Sequence, residues 1–302
     1  MRGEWKIIIG SALFALIPVG VKLAEGAGIY SILAGRLLIA AVVIFIFSKE
    51  KRKFFQLNKK DIIHLFFWSA LMLVAMLCYF QSIRTCGVAI SSALLGAQPV
   101  LIILFSMVIL REKASWWVSF CALLTVLGIL FVNNPWATFS SGGWGKLLAL
   151  CSAAMLALIF IYQKKYLKSI ATSQLVFYQS LFQLPLLLPF LIQEEINFDM
   201  SLLYSSLLLG TVCTAAAYFL IYSGVKTVAA GKIGILQSIE YILPVLIGVS
   251  FYQERLSTEI IVGCSLILVS CVLVNLEPKR VLRSVGFSFF SVTCPNSKTR
   301  SV

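Results

Sequence analysis

The feature that most constrains this chain is a series of long segments without a single charged residue. They cover 62–83, 85–110, 114–145, 169–193 and 200–225. An α-helix of about 20 residues crosses the ~30 Å hydrocarbon core of a bilayer, and each segment is at least that long. A soluble domain needs roughly a quarter of its residues charged, whereas 12% of these 302 residues are charged and 60% are hydrophobic. We therefore predict that lipid forms much of the solvent of this chain.

The apolar pattern predicts an all-α membrane protein with ten transmembrane helices. The connections are too short to hold a soluble domain, and residues 277–302 are expected to form a cytoplasmic tail. The predicted spans are 6–23, 29–48, 62–82, 88–110, 115–132, 145–163, 173–192, 202–224, 231–252 and 259–276.

The basic residues predict how these helices are oriented. If both termini are cytoplasmic, 20 of the 25 lysines and arginines fall on the cytoplasmic side. The others are Lys22, Arg84, Lys146 and Arg255 on the opposite side and Arg36 within a span. Such a bias follows the positive-inside rule, so we predict a multi-pass protein of the cell membrane with cytoplasmic N- and C-termini. The net charge of +13 is thus a topology signal, and no nucleic-acid partner is expected.

An internal repeat divides the chain. A constant offset of 142 residues places Gln98 on Glu240, Glu112 on Glu254, Ser115 on Ser257 and Asn133 on Asn275. We predict one five-helix half over 1–142 and a second over 143–276. Because five is odd, the halves would insert with opposite orientations, as in many secondary transporters whose site lies near the midplane.

Two segments resemble a known family. They run from Gly96-Ala97-Gln98-Pro99-Val100 to Leu110-Arg111-Glu112-Lys113, and from Ser238-Ile239-Glu240-Tyr241 to Gln253-Glu254-Arg255-Leu256. Both resemble EamA-type repeats of the drug/metabolite transporter superfamily, in which Glu-Pro-Val precedes an apolar helix and a Gly-Glu-Arg-like end. Here the Glu-Pro pair is split between the copies, and Arg111 and Gln253 occupy the position of the Gly.

The resemblance implies a secondary transporter for a small polar or amphipathic metabolite, such as an amino acid or a related compound, with export as the common direction. Import or exchange of a nucleotide-like metabolite such as S-adenosylmethionine is an alternative. A membrane-embedded enzyme or sensor is the alternative of another class. The chain shows no P-loop, so we expect no ATP-driven motor, and it shows no HExxH and has both of its aspartates in predicted loops, so we expect no enzymatic activity. Its eight cysteines show no paired spacing, so we expect no cofactor or metal. The oligomeric state is not predicted.

Glu240 is the one carboxylate well inside a predicted span. An intramembrane carboxylate usually faces a cavity or a partner, and its protonation offers a route to proton coupling. The alternative is a protonated carboxyl that packs helices together. Arg36 is a candidate for binding an anionic group; it could equally pair with Glu240 or snorkel to the headgroups.

The other candidates are neutral. Pro99 and Pro244 would permit kinks that suit a gating helix, although proline also serves packing in membrane helices. Buried phenols and amides would line a polar cavity, or hold helices together. The preferred members of this set are Gln98, Tyr79, Gln179, Tyr218, Tyr222 and Gln237.

Overall fold

The structure is a computed structural model that describes residues 3–48, 57–109, 116–133, 143–167, 170–194, 199–225, 239–254 and 256–275. All regular secondary structure in those ranges is helical. The helices are α1 Gly3–Phe14, α2 Ile17–Leu23, α3 Ile29–Phe47, α4 Lys59–Cys86, α5 Val88–Leu95, α6 Gln98–Ile109, α7 Trp116–Asn133, α8 Gly143–Tyr166, α9 Thr172–Leu191, α10 Met200–Leu207, α11 Ala217–Val225, α12 Ile239–Ser250 and α13 Thr258–Asn275, with a π-helical segment Leu208–Ala216 between α10 and α11.

Among the described residues, six helical stretches are long and apolar enough to cross a membrane: Gly3–Leu23, Ile29–Phe47, Lys59–Cys86, Gly143–Gln163, Ser173–Leu191 and Met200–Ile221. Shorter apolar helices occupy Val88–Ile102, Ser119–Val132, Ile239–Ser250 and Thr258–Leu273. Each falls on a predicted span, and the helical class is confirmed. The count of ten, the inverted arrangement and the division at residue 142 stay predictions. Residues 231–238 and the tail 277–302 lie outside the described residues.

Several predicted spans are interrupted rather than continuous. The first breaks between α1 and α2, where Pro18 occupies the opening turn of α2. The fourth breaks at Gly96 and Ala97 before α6 begins. Proline lacks an N–H and glycine lacks side-chain restraint, so both favour such breaks, which hydropathy does not detect.

Close helix contacts are made at small residues. A Cβ at Gly128 of α7 or at Gly263 of α13 would lie 2.7 Å from the carbonyl oxygen of the other glycine. A Cβ at Gly10 of α1 would lie 2.6 Å from Ile221 on α11. Between helices in lipid, where hydrophobic association is weak, close backbone approach provides van der Waals packing.

One end of the bundle brings together described residues of five segments, and we call it the clasp end: residues 24–28, 84–87, 143–146, 192–194 and 251–254. Arg84 donates to the carbonyl oxygens of Ala24 and Ala27. The ammonium of Lys22 lies 6.0 Å from the ring centroid of Tyr252. Under the predicted orientation this end faces away from the cytoplasm.

Candidate functional site

A hydrogen bond joins the two segments that the repeat makes equivalent. The hydroxyl of Tyr241 on α12 donates to Oε1 of Gln98, the first residue of α6, over 3.3 Å. Gln98 follows the start of α5 at Val88 by ten residues, and Glu240 precedes the end of α12 at Ser250 by ten. Ten residues of helix span about 15 Å, which is half of a hydrocarbon core. The contact therefore lies near the middle of the bundle.

Glu240 lies beside this contact, in the first turn of α12. Its carboxyl lies near the phenols of Tyr79 and Tyr241. No hydrogen bond or ion pair joins it to another residue within the described ranges. Tyr79 is buried on α4, and its hydroxyl lies 3.1 Å from the hydroxyl of the fully buried Ser92 on α5. We call Tyr79, Ser92, Gln98, Glu240 and Tyr241 the Glu240 cluster.

Arg36 forms a separate polar site on α3. Its side chain is 2% exposed. Nε donates to the hydroxyl of Thr214 over 2.8 Å, and Nη1 contacts the Met76 sulfur at 3.4 Å. The ring of Phe80 on α4 lies 5.8 Å from the guanidinium carbon, within the range of a cation–π interaction.

Arg36 therefore does not snorkel, because a snorkelling side chain would expose its charged head. Nor does it form an ion pair with Glu240. Of the three interpretations that the sequence left open for this residue, the pairing and the snorkelling are wrong. Anion binding stays a prediction.

The π-helical segment holds the partner of Arg36 in place. Thr214 donates its hydroxyl proton to the carbonyl oxygen of Leu209, five residues earlier, over 2.7 Å, and so presents its oxygen to Arg36. Gly210 permits close approach, since a Cβ there would lie 2.9 Å from the Arg36 carbonyl oxygen. π-Helical turns are often found at functional sites. Thr214 was missed from the sequence, where it is one of many hydroxyl residues in an apolar run.

The structure places the other predicted residues in different settings. Gln179 is buried on α9, and its Oε1 has no partner within the described part of the chain. Tyr218 packs edge-on against the ring of Phe14, with centroids 5.0 Å apart. Pro244 lies buried inside α12, and Pro99 belongs to the first turn of α6, directly after the break at Gly96. Gln237 lies outside the described residues, and the structure does not describe the side chain of Tyr222.

At the clasp end, the carboxylate of Glu194 caps a helix from the other predicted half. Its Oε2 accepts hydrogen bonds from the backbone N–H of Ser31 at 2.8 Å and from the Ser31 hydroxyl at 2.6 Å. These groups belong to the first turn of α3, whose N-cap residue is Gly28 and offers no side chain. A Cβ on Gly28 would lie 1.7 Å from the carboxyl carbon of Glu194. Because Gly28 has no side chain, the carboxyl group of the distant Glu194 can occupy this space.

Glu254 makes a second contact of the same kind. Its two oxygens accept the N–H groups of Val88 and Ala89 at 2.7 and 2.8 Å, in the first turn of α5. The N-cap here is Gly87, with a φ of +86° that favours glycine. Carboxylates are stabilised at helix N-termini by unpaired N–H groups and by the helix dipole. We call these two contacts the Glu194 clasp and the Glu254 clasp.

Glu254 therefore caps a helix that is distant in the sequence. The structure also explains a departure from the family pattern. Gln253 has a φ of +50°, a left-handed conformation that glycine adopts more readily. That is the position where the pattern carries Gly, and this turn directs Glu254 towards α5.

Comparison with known proteins decides the family. The model of the EamA-like transporter family matches residues 1–134 and 143–276. The chain belongs to this family. Its relatives include the uncharacterized transporter YwfM of Bacillus subtilis, 28% identical over 68% of this chain and 72% of that protein. The uncharacterized transporter YetK of the same species is 27% identical over 86% and 81%.

A mammalian relative and a solved structure extend the comparison. Solute carrier family 35 member G1 of Mus musculus is 22% identical over 83% of this chain and 72% of its own length. One crystal structure matches with a TM-score of 0.64 and 16% identity, over 92% of this chain and 99% of that one. At that identity the likeness concerns the fold alone. Family membership and the apolar helices together make this chain a multi-pass membrane protein of a transporter family.

Proposed function

We propose that this chain is a secondary transporter that moves a small polar or amphipathic metabolite across the cell membrane by alternating access. The observation that carries the proposal is the Glu240 cluster. It joins α6 to α12, which belong to different predicted halves, near the middle of the bundle. A carboxylate without a partner in the described part of the chain is costly in lipid unless it serves a cavity or a solute.

The clasps support the alternating-access part of the proposal. Both connect a glutamate of the second predicted half to a helix of the first, and both lie at the clasp end. Breaking them would let the halves separate there while the rest of each half stays packed. This arrangement is what a gate that closes the non-cytoplasmic side requires.

Direction, substrate and coupling are further parts of the proposal. The resemblance of the repeats favours export of an amino acid or a related compound. Glu240 is the proposed proton-coupling residue, because burial disfavours its charged form. Binding of a solute beside the carboxyl would therefore change whether it holds a proton.

The test is solute flux in proteoliposomes that contain the purified full-length chain. A mixture of labelled amino acids and, separately, labelled S-adenosylmethionine are loaded inside, with and without a pH gradient. We expect amino-acid efflux that a pH gradient accelerates and that Glu240→Gln uncouples from the gradient. The control is Glu259→Gln, because Glu259 is exposed at the start of α13.

Each outcome bears on a separate part of the proposal. Flux in Glu240→Gln with unchanged rate and pH dependence would refute proton coupling through this residue. Flux of S-adenosylmethionine alone would favour the nucleotide-like alternative. If no solute moved under any gradient while the protein stayed folded, the transport proposal itself would fail.

A further inference from the structure

The guanidinium of Arg36 has N–H donors that its contacts within the described residues do not use, and these could bind a ligand. A guanidinium carries five N–H donors in a planar fork. Within the described residues, one donates to Thr214 and one contacts the Met76 sulfur, a weak acceptor. Three donors are left without a partner in that part of the chain, on a side chain that is 2% exposed.

Within the described residues, no carboxylate pairs with the charge of Arg36 either. Removing a cation from water is unfavourable, and a nearby anion normally offsets this. The Phe80 ring and the Thr214 hydroxyl offset only part of it, since neither carries a negative charge. Glu240 is the one carboxylate of the sequence well inside a predicted span, and it forms no ion pair with Arg36.

The position of Arg36 is suited to a transported molecule. It follows the first residue of α3 by seven positions, which is about 10 Å of helix from the clasp end. Met76 and Phe80, which contact it, are within one helical turn of Tyr79 on α4. Tyr79 belongs to the Glu240 cluster, so the two polar sites border the same turn of α4.

We propose that Arg36 binds the anionic group, a carboxylate or a phosphate, of the solute that this protein carries. The inference rests on the proposed transport function and adds the charge class of the substrate. The unused N–H groups would hold two oxygens of the anion in the bidentate geometry that guanidinium favours. The remainder of the solute would extend along α4 towards the Glu240 cluster.

The test compares each anion with a neutral relative: the amide of nearly the same shape for each carboxylate, and the parent alcohol for the phosphate. Thermal unfolding of the purified chain is measured with nicotinate and nicotinamide, with glutarate and glutaramide, and with glycerol 3-phosphate and glycerol, at equal ionic strength. A ligand of the folded state raises the unfolding temperature by mass action. We expect the anionic member of at least one pair to stabilise the protein more than its neutral partner. The phosphate pair distinguishes phosphate from carboxylate recognition.

Two variants connect the effect to Arg36. Arg36→Gln should weaken apparent affinity for the anion by roughly tenfold to a hundredfold, as expected for a lost charge-assisted hydrogen bond. The apparent affinity for the neutral partner should not change. Thr214→Val keeps the charge and the side-chain shape but removes the acceptor that orients Nε, so the anion should bind about fivefold more weakly. This second variant provides the same comparison if Arg36→Gln does not fold.

The inference is overturned if, in the unsubstituted protein, no anionic compound raises the unfolding temperature more than its neutral partner does. It is equally overturned if the preference for the anion persists in both variants. Flux measurements separate this result from the proposed function. Solute movement with no dependence on Arg36 would refute the anion site alone, whereas anion binding without movement of any solute would refute transport alone.

Discussion

Replacing Glu254 by glutamine should loosen the clasp end without altering the shape of the residue. Both carboxylate oxygens accept backbone N–H groups of α5, at 2.7 and 2.8 Å. A glutamine has one carbonyl oxygen and one NH₂ group, so it can accept one of these bonds and must place a donor against the other N–H. One N–H of the first turn of α5 would then be left unsatisfied, and the favourable charge at the helix N-terminus would be lost.

The size of the effect follows from these bonds. A hydrogen bond to a charged group contributes about 1.5–3 kcal/mol, and the lower value applies because Glu254 is half-buried. A loss of about 1.5 kcal/mol from the closed state raises the population of the open state about tenfold while that state is the minor one. The same substitution at Glu194 should act similarly through α3.

The assay uses Cys86, which is half-buried and directly precedes the N-cap of α5. Its sulfur lies 3.3 Å from the Ser91 hydroxyl, one turn into that helix. With the other seven cysteines replaced, the rate at which a membrane-impermeant maleimide labels Cys86 reports how often the clasp end opens. We expect labelling about tenfold faster in Glu254→Gln. An unchanged rate, or an equal increase in the Glu259→Gln control, would refute the gating role of the clasp.

Two further predictions concern the backbone around the clasps. Gly28→Ala should lower the unfolding free energy by about 1–3 kcal/mol, because its Cβ would displace the Glu194 carboxyl. Gly26→Ala is the control, since a Cβ there meets nothing within 4 Å. Equal unfolding temperatures in the two variants would contradict the proposed role of Gly28 in making room for that carboxyl. Gln253→Val should destabilise the chain by about 1–2 kcal/mol, because a β-branched residue resists the left-handed conformation at φ +50°. Gln253→Gly should be tolerated. If thermal unfolding showed valine to be tolerated as well as glycine, backbone strain at this position would be ruled out.

The helices were predictable because each long apolar segment has to satisfy its own backbone hydrogen bonds in lipid. That requirement is local, so length and composition were sufficient to locate the helical stretches. Apart from the kink that Pro99 was expected to permit, the interruptions were not predicted. The break at Gly96 and the π-helical segment at 208–216 leave hydropathy unchanged, and they depend on contacts such as the bond between Thr214 and Leu209.

The candidate site was predictable only in part. Glu240, Gln98 and Arg36 are conspicuous because polar groups are rare in apolar segments, and the 142-residue offset suggested that Gln98 and Glu240 are equivalent. Their partners were not visible. Tyr241 was the bond partner of Gln98, and Thr214 was the acceptor for Arg36, yet neither differs in the sequence from other hydroxyl residues nearby.

The sequence by itself determined the helical class, the approximate helix positions and the family, since these follow from hydropathy, repeat spacing and motif. Only the tertiary structure decided that Arg36 has no carboxylate partner in the described residues and that Glu194 and Glu254 cap helices far away in the chain. The physical reason is the distance along the chain over which each interaction acts. Hydropathy and periodicity act over one helix, whereas the compensation of a buried charge and the capping of a helix end depend on which distant groups the fold brings within 3 Å.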